Sequence, residues 1–279
     1  MSSTATMATG KKSTRTPLLA AYSVFVFAFL YLPIVVLIVY SFNQSGVGGF
    51  PPKEFTIRWY RQLFSDASIW DSVLNSFVVA IGAVALSLTL GLLAALALDR
   101  AGFPGKSLFR RLVLLPLVLP GIITGLSLLM FVDRLGIHLS LFTVFLGHGT
   151  ALIAVATTEL FAGLQKMDRA QEEASLDLGA TPWQTFWRIT LPHLKLSLIA
   201  SALLIFTLSM DEIAVTFFLL GRDNTLPLEI WARLRRGITP EINAISTLIF
   251  VVSVMLILIW YHIRARGMGT ETRELVERP

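Results

Sequence analysis

Two adjacent carboxylates, Asp211 and Glu212, sit inside an otherwise apolar stretch that reads FTLSMDEI over 206–213. If that stretch crosses a bilayer, each ionised carboxylate costs roughly 2.5–3.5 kcal/mol, so it faces a bundle interior or a water path. Neighbouring positions on a helix point about 100° apart, so both side chains can border one pore or divide between pore and partner helix. Two roles fit the pair. It can attract a cationic solute, or it can be structural, with Asp211 meeting an arginine of a partner subunit or one acid held neutral.

Other chemistry finds little support. Gly102-Phe103-Pro104-Gly105-Lys106-Ser107 ends like a phosphate-binding loop, but that loop needs G-x-x-x-x-G-K-[ST] between a strand and a helix. Here Arg100 stands where the first glycine should. The four histidines (His138, His148, His193, His262) are scattered, no cysteine is present, and no metal-ligand spacing appears. No Ser-His-Asp grouping converges. Glu159 is placed to snorkel or to pair with Lys166. His148, between Gly147 and Gly149, fits helix packing with a satisfied imidazole better than a proton relay.

The elements that must carry these residues follow from composition. Of 279 residues, 54% are hydrophobic and 15% charged, against about 25% charged in soluble domains. The solvent that tolerates so little charge is lipid. A bilayer core needs about 20 apolar residues as helix. Six stretches qualify: Leu18–Phe42, Val73–Leu98, Leu112–Val132, Phe142–Leu164, Leu196–Leu220 and Asn243–Ile263. The expected fold is therefore an all-α membrane protein with six transmembrane helices spanning residues 18–263. A disordered cytosolic tail (1–17) and a second cytosolic tail (264–279) flank it. Pro116 and Pro120 predict a kink in the third span, and Gly121-x-x-x-Gly125 permits close helix approach. The first span is too long for a cleaved signal and no A-x-A site follows it.

With both termini inside, most of the 23 lysines and arginines fall on cytosolic segments. The net charge of +5 then reads as lipid-facing basic residues rather than a nucleic-acid surface. The last outer loop is an exception, with Arg222, Arg233, Arg235 and Arg236 around Ile230, Trp231 and Leu234. That pattern predicts a short amphipathic helix at the outer surface.

The cytosolic segment 165–193 is longer than a bland connection between spans. Its core, Asp168–Pro192, reads DRAQEEASLDLGATPWQTFWRITLP. Asp168 with Gln171 predicts a capping box. A helix over Arg169–Leu178 ends at Gly179, which suits a left-handed terminal position. Thr181-Pro182 predicts an N-cap with proline in the first turn. A second helix over Pro182–Ile189 would end at Pro192. Trp183, Phe186 and Trp187 on it suit a membrane interface.

This segment resembles the EAA loop of ABC importer permeases: E-A-A, three residues, G, nine residues, then I-x-L-P. The matching residues are Glu173-Ala174-Ser175, Gly179, Ile189, Leu191 and Pro192, with Ser175 in place of the second alanine. The resemblance implies the MetI-like architecture of type I importers and a loop whose coupling helix docks on a separate ATPase. Glu172, Glu173, Ala174, Asp177, Gly179, Ala180, Thr181 and Pro182 are the candidate coupling residues. It implies as partners an ATP-binding subunit dimer, a second homologous permease subunit, an extracytoplasmic solute-binding protein and membrane lipid, in the inner membrane of a prokaryote. It implies no cofactor on this chain and no enzymatic activity of its own, with ATP and Mg on the partner.

Four further segments are similar to the spermidine/putrescine branch: Tyr31-Leu32-Pro33 with Tyr40-Ser41-Phe42-Asn43; Trp59-Tyr60 before Asn75-Ser76; Leu115-Pro116 through Pro120-Gly121 to Thr124-Gly125-Leu126; and Pro240-Glu241-Ile242-Asn243-Ala244. A polyamine is thus the expected solute and the branch implies a heterodimer of permeases. Permeases for ferric ion, thiamine or opines share several of these segments. The candidate substrate path is Asp211, Glu212, Ser209, Tyr40 and Asn43. A proton-coupled secondary transporter using Asp211, Glu212, Glu159 and His148 predicts more spans and an internal repeat, and neither is visible. An intramembrane enzyme would need a convergent catalytic set.

Overall fold

A computed structural model of the chain describes residues 15–44, 54–237, 239–255 and 258. It is all-helical, with no strand among the described residues, and it divides into two units: residues 1–65 with 237–279, and residues 66–236.

In the first unit, α1 (Arg15–Ser41) is apolar on every face. Phe25, Phe29 and Leu32 all stand exposed, as they must in lipid. At 27 residues it is about 40 Å long, enough to cross a bilayer. Arg15–Pro17 belong to this helix rather than to the expected tail, whose residues 1–14 lie outside the described residues. Below α1 the chain folds back through an antiparallel bridge between Asn43 and Phe55. Helix α2 (Arg58–Ser65) follows and ties itself to that turn. Trp59 Nε1 donates to the Asn43 carbonyl at 2.8 Å, and the hydroxyls of Ser41 and Tyr60 meet at 2.6 Å. The expected sixth span begins as a shorter apolar helix (Pro240–Met255). Its predicted remainder and the tail 264–279 lie outside the described residues.

The second unit is built on α3 (Ala67–Arg100) and α6 (Leu141–Gln165), which pack side by side and contain the second and fourth expected spans. Small residues set the spacing. A methyl group at Gly91 would overlap Ala156, and one at Gly149 would meet Leu86. Ser87 crosses the seam to donate to the Gly149 carbonyl at 2.8 Å. One buried cluster (Val79, Val132, Val144, Val215, Leu219) fills one end of the bundle. Another (Ala95, Leu160, Leu164, Leu194) fills the end nearer the 165–193 loop.

The third and fifth expected spans are not continuous helices. α4 (Lys106–Leu114) runs through a 3₁₀ turn to Leu117. α5 (Gly121–Arg134) then leaves at 106°. Pro116 and Pro120 flank the bend, so the predicted kink is a full break. The fifth span separates into α10 (Lys195–Met210) and α11 (Ala214–Leu219). Hydropathy did not announce this second break, because apolar residues flank Asp211 and Glu212 on both sides. Among the described residues, three helices are long and apolar enough to cross a membrane, and two bent pairs qualify as broken spans.

The loop between α6 and α10 contains α7 (Ala170–Asp177), α8 (Pro182–Thr185) and α9 (Leu191–His193), with a π turn over Phe186–Thr190 joining the last two. The expected amphipathic helix of the last loop is α12 (Leu226–Arg236), which packs against α3.

Candidate functional site

The loop folds as a hinged elbow whose bend follows from its sequence. α7 starts where Asp168 Oδ1 accepts the Ala170 N–H at 3.0 Å. The cap therefore acts two residues on, and the helix begins at Ala170 rather than Arg169. It ends at Gly179, whose φ of 86° an L side chain rarely adopts. The Gly179 N–H reaches the Leu176 carbonyl at 2.9 Å and the Ala180 N–H the Ser175 carbonyl at 3.1 Å. This paired closure is favoured by glycine at that position. Thr181 then caps α8 with a reciprocal box: its Oγ1 accepts the Gln184 N–H, and Gln184 Oε1 accepts the Thr181 N–H at 2.9 Å.

Pro192 does not end the second helix. The π turn lets the Leu191 N–H reach back five residues to the Phe186 carbonyl. The widened turn makes room for a ring that would otherwise press on the carbonyl four residues earlier, and helix resumes through His193. The segment Pro182–His193 then meets α10 at 64°.

The elbow holds itself together and holds on to α3. Ser175 and Thr185 join its two arms hydroxyl to hydroxyl at 3.0 Å. Glu172 accepts from both Thr190 and Arg100, and Arg100 also donates to Thr190 at 3.3 Å. Thr190 is fully buried, and the Glu172 side chain is 15% exposed. One residue earlier on α3, Asp99 pairs with Arg169 at 3.2 Å and accepts from Gln165, the last residue of α6.

The candidate coupling residues consequently divide. Glu172 faces inward. Glu173, Ala174, Asp177, Gly179, Thr181 and Pro182 are exposed and Ala180 is half-buried, so they form the outward surface of the bend. Leu178 is 89% exposed at its tip. Trp183, Phe186 and Trp187 stack into one aromatic cluster, with ring centroids 5.5–6.0 Å apart and both tryptophans exposed.

The candidate substrate path is less unified. Tyr40 and Asn43 lie in the first unit, where the Asn43 carbonyl accepts from Trp59. Ser209 is buried in the second unit, and His148 joins both sides of the helix break there. His148 Nδ1 meets the Ser209 hydroxyl at 2.8 Å on α10, and Nε2 meets the Thr216 hydroxyl at 2.8 Å on α11. The satisfied imidazole expected from the sequence is what the structure contains. Glu212 is a local cap: Oε1 accepts the Val215 N–H at 2.9 Å, and its carbonyl accepts from Thr216 Oγ1 at 2.8 Å. Asp211 is exposed at the C-terminus of α10, and its carboxylate has no hydrogen bond or ion pair among the described residues. Glu159 is also exposed, with no ion pair to Lys166. Gly121 and Gly125 bring α5 against α11: a Cβ at Gly125 would lie 2.8 Å from the Phe218 ring.

Lys106, the last basic residue of the G-K-S segment, donates to the Ala101 carbonyl at 2.9 Å and so closes the end of α3. At the opposite end of α3, Asp66 caps the helix by accepting the Ser68 N–H at 3.0 Å. Arg233 of α12 bridges Asp66 and Glu229, each at 2.8 Å. Burial alone pushes the Asp66 carboxyl up, but Arg233 and the backbone N–H groups of Ser68 and Ile69 outweigh it and hold the pKa below its usual value. Burial likewise pulls Arg233 down, and its two carboxylate partners raise it above the ordinary arginine value.

Sequence reasoning missed Asp99, Arg100, Thr190 and the Asp66–Arg233–Glu229 bridge. The available signal was weak: an Asp-Arg pair ending a long apolar run, with partners 66 or more residues away.

Known proteins resemble the chain across this whole framework. The family model described as "Binding-protein-dependent transport system inner membrane component" matches residues 87–269. The putrescine transport system permease protein PotI of Escherichia coli (strain K12) is 36% identical over 264 residues, covering 89% of this chain and 91% of that protein. The spermidine/putrescine transport system permease protein PotC of Haemophilus influenzae is 32% identical over 240 residues, covering 86% and 93%. Among solved structures, a bacterial ABC transporter involved in the import of alginate superposes with a TM-score of 0.67 at 18% identity, covering 93% of this chain and 99% of that one. The MetNI methionine ABC transporter superposes with a TM-score of 0.54 at 15% identity, covering 76% and 97%. An elbow of this form on a bundle of apolar and broken helices, matched over most of its length by such relatives, makes this chain a member of the binding-protein-dependent transport system inner membrane component family, the multi-pass permease subunits of ABC importers.

Proposed function

We propose that this permease subunit imports a polyamine, with putrescine or spermidine as the solute. The observation that carries the proposal is the 36% and 32% identity, over most of the chain, to permeases named for these amines. The exposed Asp211 carboxylate at the helix break supports it, since a free acid in an apolar setting attracts a cation. In this reading Asp211 lines the path. Glu212 and Ser209 hold the break in shape through Val215 and His148. The outward face of the elbow, Glu173 to Pro182, docks on an ATP-binding subunit that supplies the hydrolysis, with ATP and Mg on that separate chain.

The chain makes six crossings with both termini and the elbow on the cytosolic side. It pairs with a second, non-identical permease subunit and receives solute from an extracytoplasmic binding protein. The test is uptake of radiolabelled putrescine and spermidine by cells expressing the chain with its neighbouring transport subunits. Uptake should disappear when the ATPase is replaced by a hydrolysis-dead form. Uptake of neither amine by an assembled complex would remove the polyamine assignment.

A further inference from the structure

We propose that Asp99 and Arg100 are positioning residues that transmit elbow movement to the bundle. They join the elbow to the end of α3 rather than leaving the α6 and α10 connections to carry it alone. The inference rests on the family reading above and concerns residues of this chain that face neither solute nor ATPase.

The geometry is a double clamp. Arg100 ends α3, and its guanidinium holds Glu172 of α7 and Thr190 of the π turn at once, one group on each arm of the elbow. Thr190 closes the triangle by donating to Glu172. Asp99, only 5% exposed, takes Arg169 just ahead of α7 and Gln165 at the end of α6. The elbow is thus tied to α3 through charge as well as covalently to α6 and α10.

A push on the exposed bend would otherwise be absorbed at its weakest points. These are the glycine turn at Gly179, the π turn and the 64° angle before α10. With both arms pinned to Arg100, the bend cannot pivot about Gly179 without breaking charged bonds, so its displacement reaches α3. Because α3 packs along α6 and against α10, displacement of α3 moves the whole bundle. The two clamps are unequal. Arg169 is 62% exposed and holds only the chain ahead of α7, whereas Arg100 is 35% exposed and holds both arms; the carboxylates Asp99 and Glu172 are both largely enclosed. Arg100–Glu172–Thr190 is therefore the principal link.

The test uses the complete complex in liposomes, with ATP hydrolysis and putrescine uptake measured together. Arg100→Ala should leave the ATPase bound and hydrolysing within about twofold of wild type, while solute moved per ATP falls roughly tenfold, within the 5–150-fold range of typical coupling energies. Arg100→Lys should restore part of that ratio, and Thr190→Val, which keeps the shape, should lower it less than Arg100→Ala. A spin label at Arg188, exposed on the second arm outside the docking face and introduced into a chain that has no cysteine of its own, should become more mobile in Arg100→Ala. That readout does not depend on solute, so it decides the clamp even if putrescine is not transported by the wild type. An unchanged label, or an unchanged ratio of solute to ATP where the wild type transports, would overturn the proposal. So would loss of the bound ATPase in Arg100→Ala, because the clamp would then only keep the docking surface folded.

Discussion

The two ends of α3 are both fastened by charge, and they are fastened differently. At its start, Asp66 caps the helix and shares Arg233 with Glu229, so three groups from two elements form one compact bridge. At its finish, Asp99 and Arg100 reach separate partners in a loop of short helices, a glycine turn and a π turn. A carboxylate at the N-terminus and a guanidinium at the C-terminus both suit the helix dipole. Asp99 does not, and Arg169 offsets it. One end is a fixed joint between helices, and the other grips a part with hinges of its own. An α3 bridged to α12 at one end and clamped to the elbow at the other would act as a lever under the proposed coupling.

The largest effect should come from breaking the fixed joint. Arg233→Ala leaves Glu229, 8% exposed, and Asp66 without their shared cation. A buried carboxylate stripped of its partner costs about 3–5 kcal/mol, and the partial exposure of Asp66 places this case near 3. Thermal denaturation of the purified complex should register the loss. Charge reversal on the other region, Glu173→Lys, should leave the denaturation temperature of the permease purified without its ATPase unchanged because Glu173 is exposed, yet reduce co-purification of the ATPase. Removing the elbow's cap with Thr181→Ala should cost about 1 kcal/mol, seen as faster backbone amide exchange in α8. Arg169→Ala, which leaves the enclosed Asp99 carboxylate with Gln165 as its remaining side-chain donor, should change coupling less than Arg100→Ala in the same uptake-per-ATP measurement.

The fixed joint also carries a pH signature. The Asp66 carboxyl is held below its usual value in the folded protein, so its stabilising contribution is complete above the unfolded value of about 3.9. That contribution is lost as pH falls through the lower folded value. Stability of wild type and Asp66→Asn should therefore converge on acidification below about pH 4, with a constant difference above it.

The sequence exposed most of what depends on neighbours in the chain. Apolar length announced α1, α3 and α6, and Gly179 with Thr181-Pro182 announced the elbow's bend. What it concealed depends on residues brought together by folding. The break between α10 and α11 lies in a run apolar enough to span. It is set by Glu212 capping Val215, by His148 reaching both sides, and by Gly121 and Gly125 admitting α5 against α11. Asp211 and Glu212 looked equivalent as neighbours on one helix; the break gives Glu212 a cap to make and leaves Asp211 exposed. Arg100 read as a loop cation because Glu172 and Thr190 lie 72 and 90 residues further on. Glu172 read as part of the docking surface because helix periodicity alone does not say which side of an elbow faces inward.

Under the proposed function, the elbow's role is coupling of a separate ATPase to amine import through this chain. Its most direct test is putrescine uptake into liposomes containing the purified complex with its binding protein, with and without ATP on the elbow side, for wild type and Glu173→Lys. Wild type should take up putrescine only with ATP, and Glu173→Lys little or none. Uptake that proceeds equally without ATP, or equally in Glu173→Lys, would contradict that role.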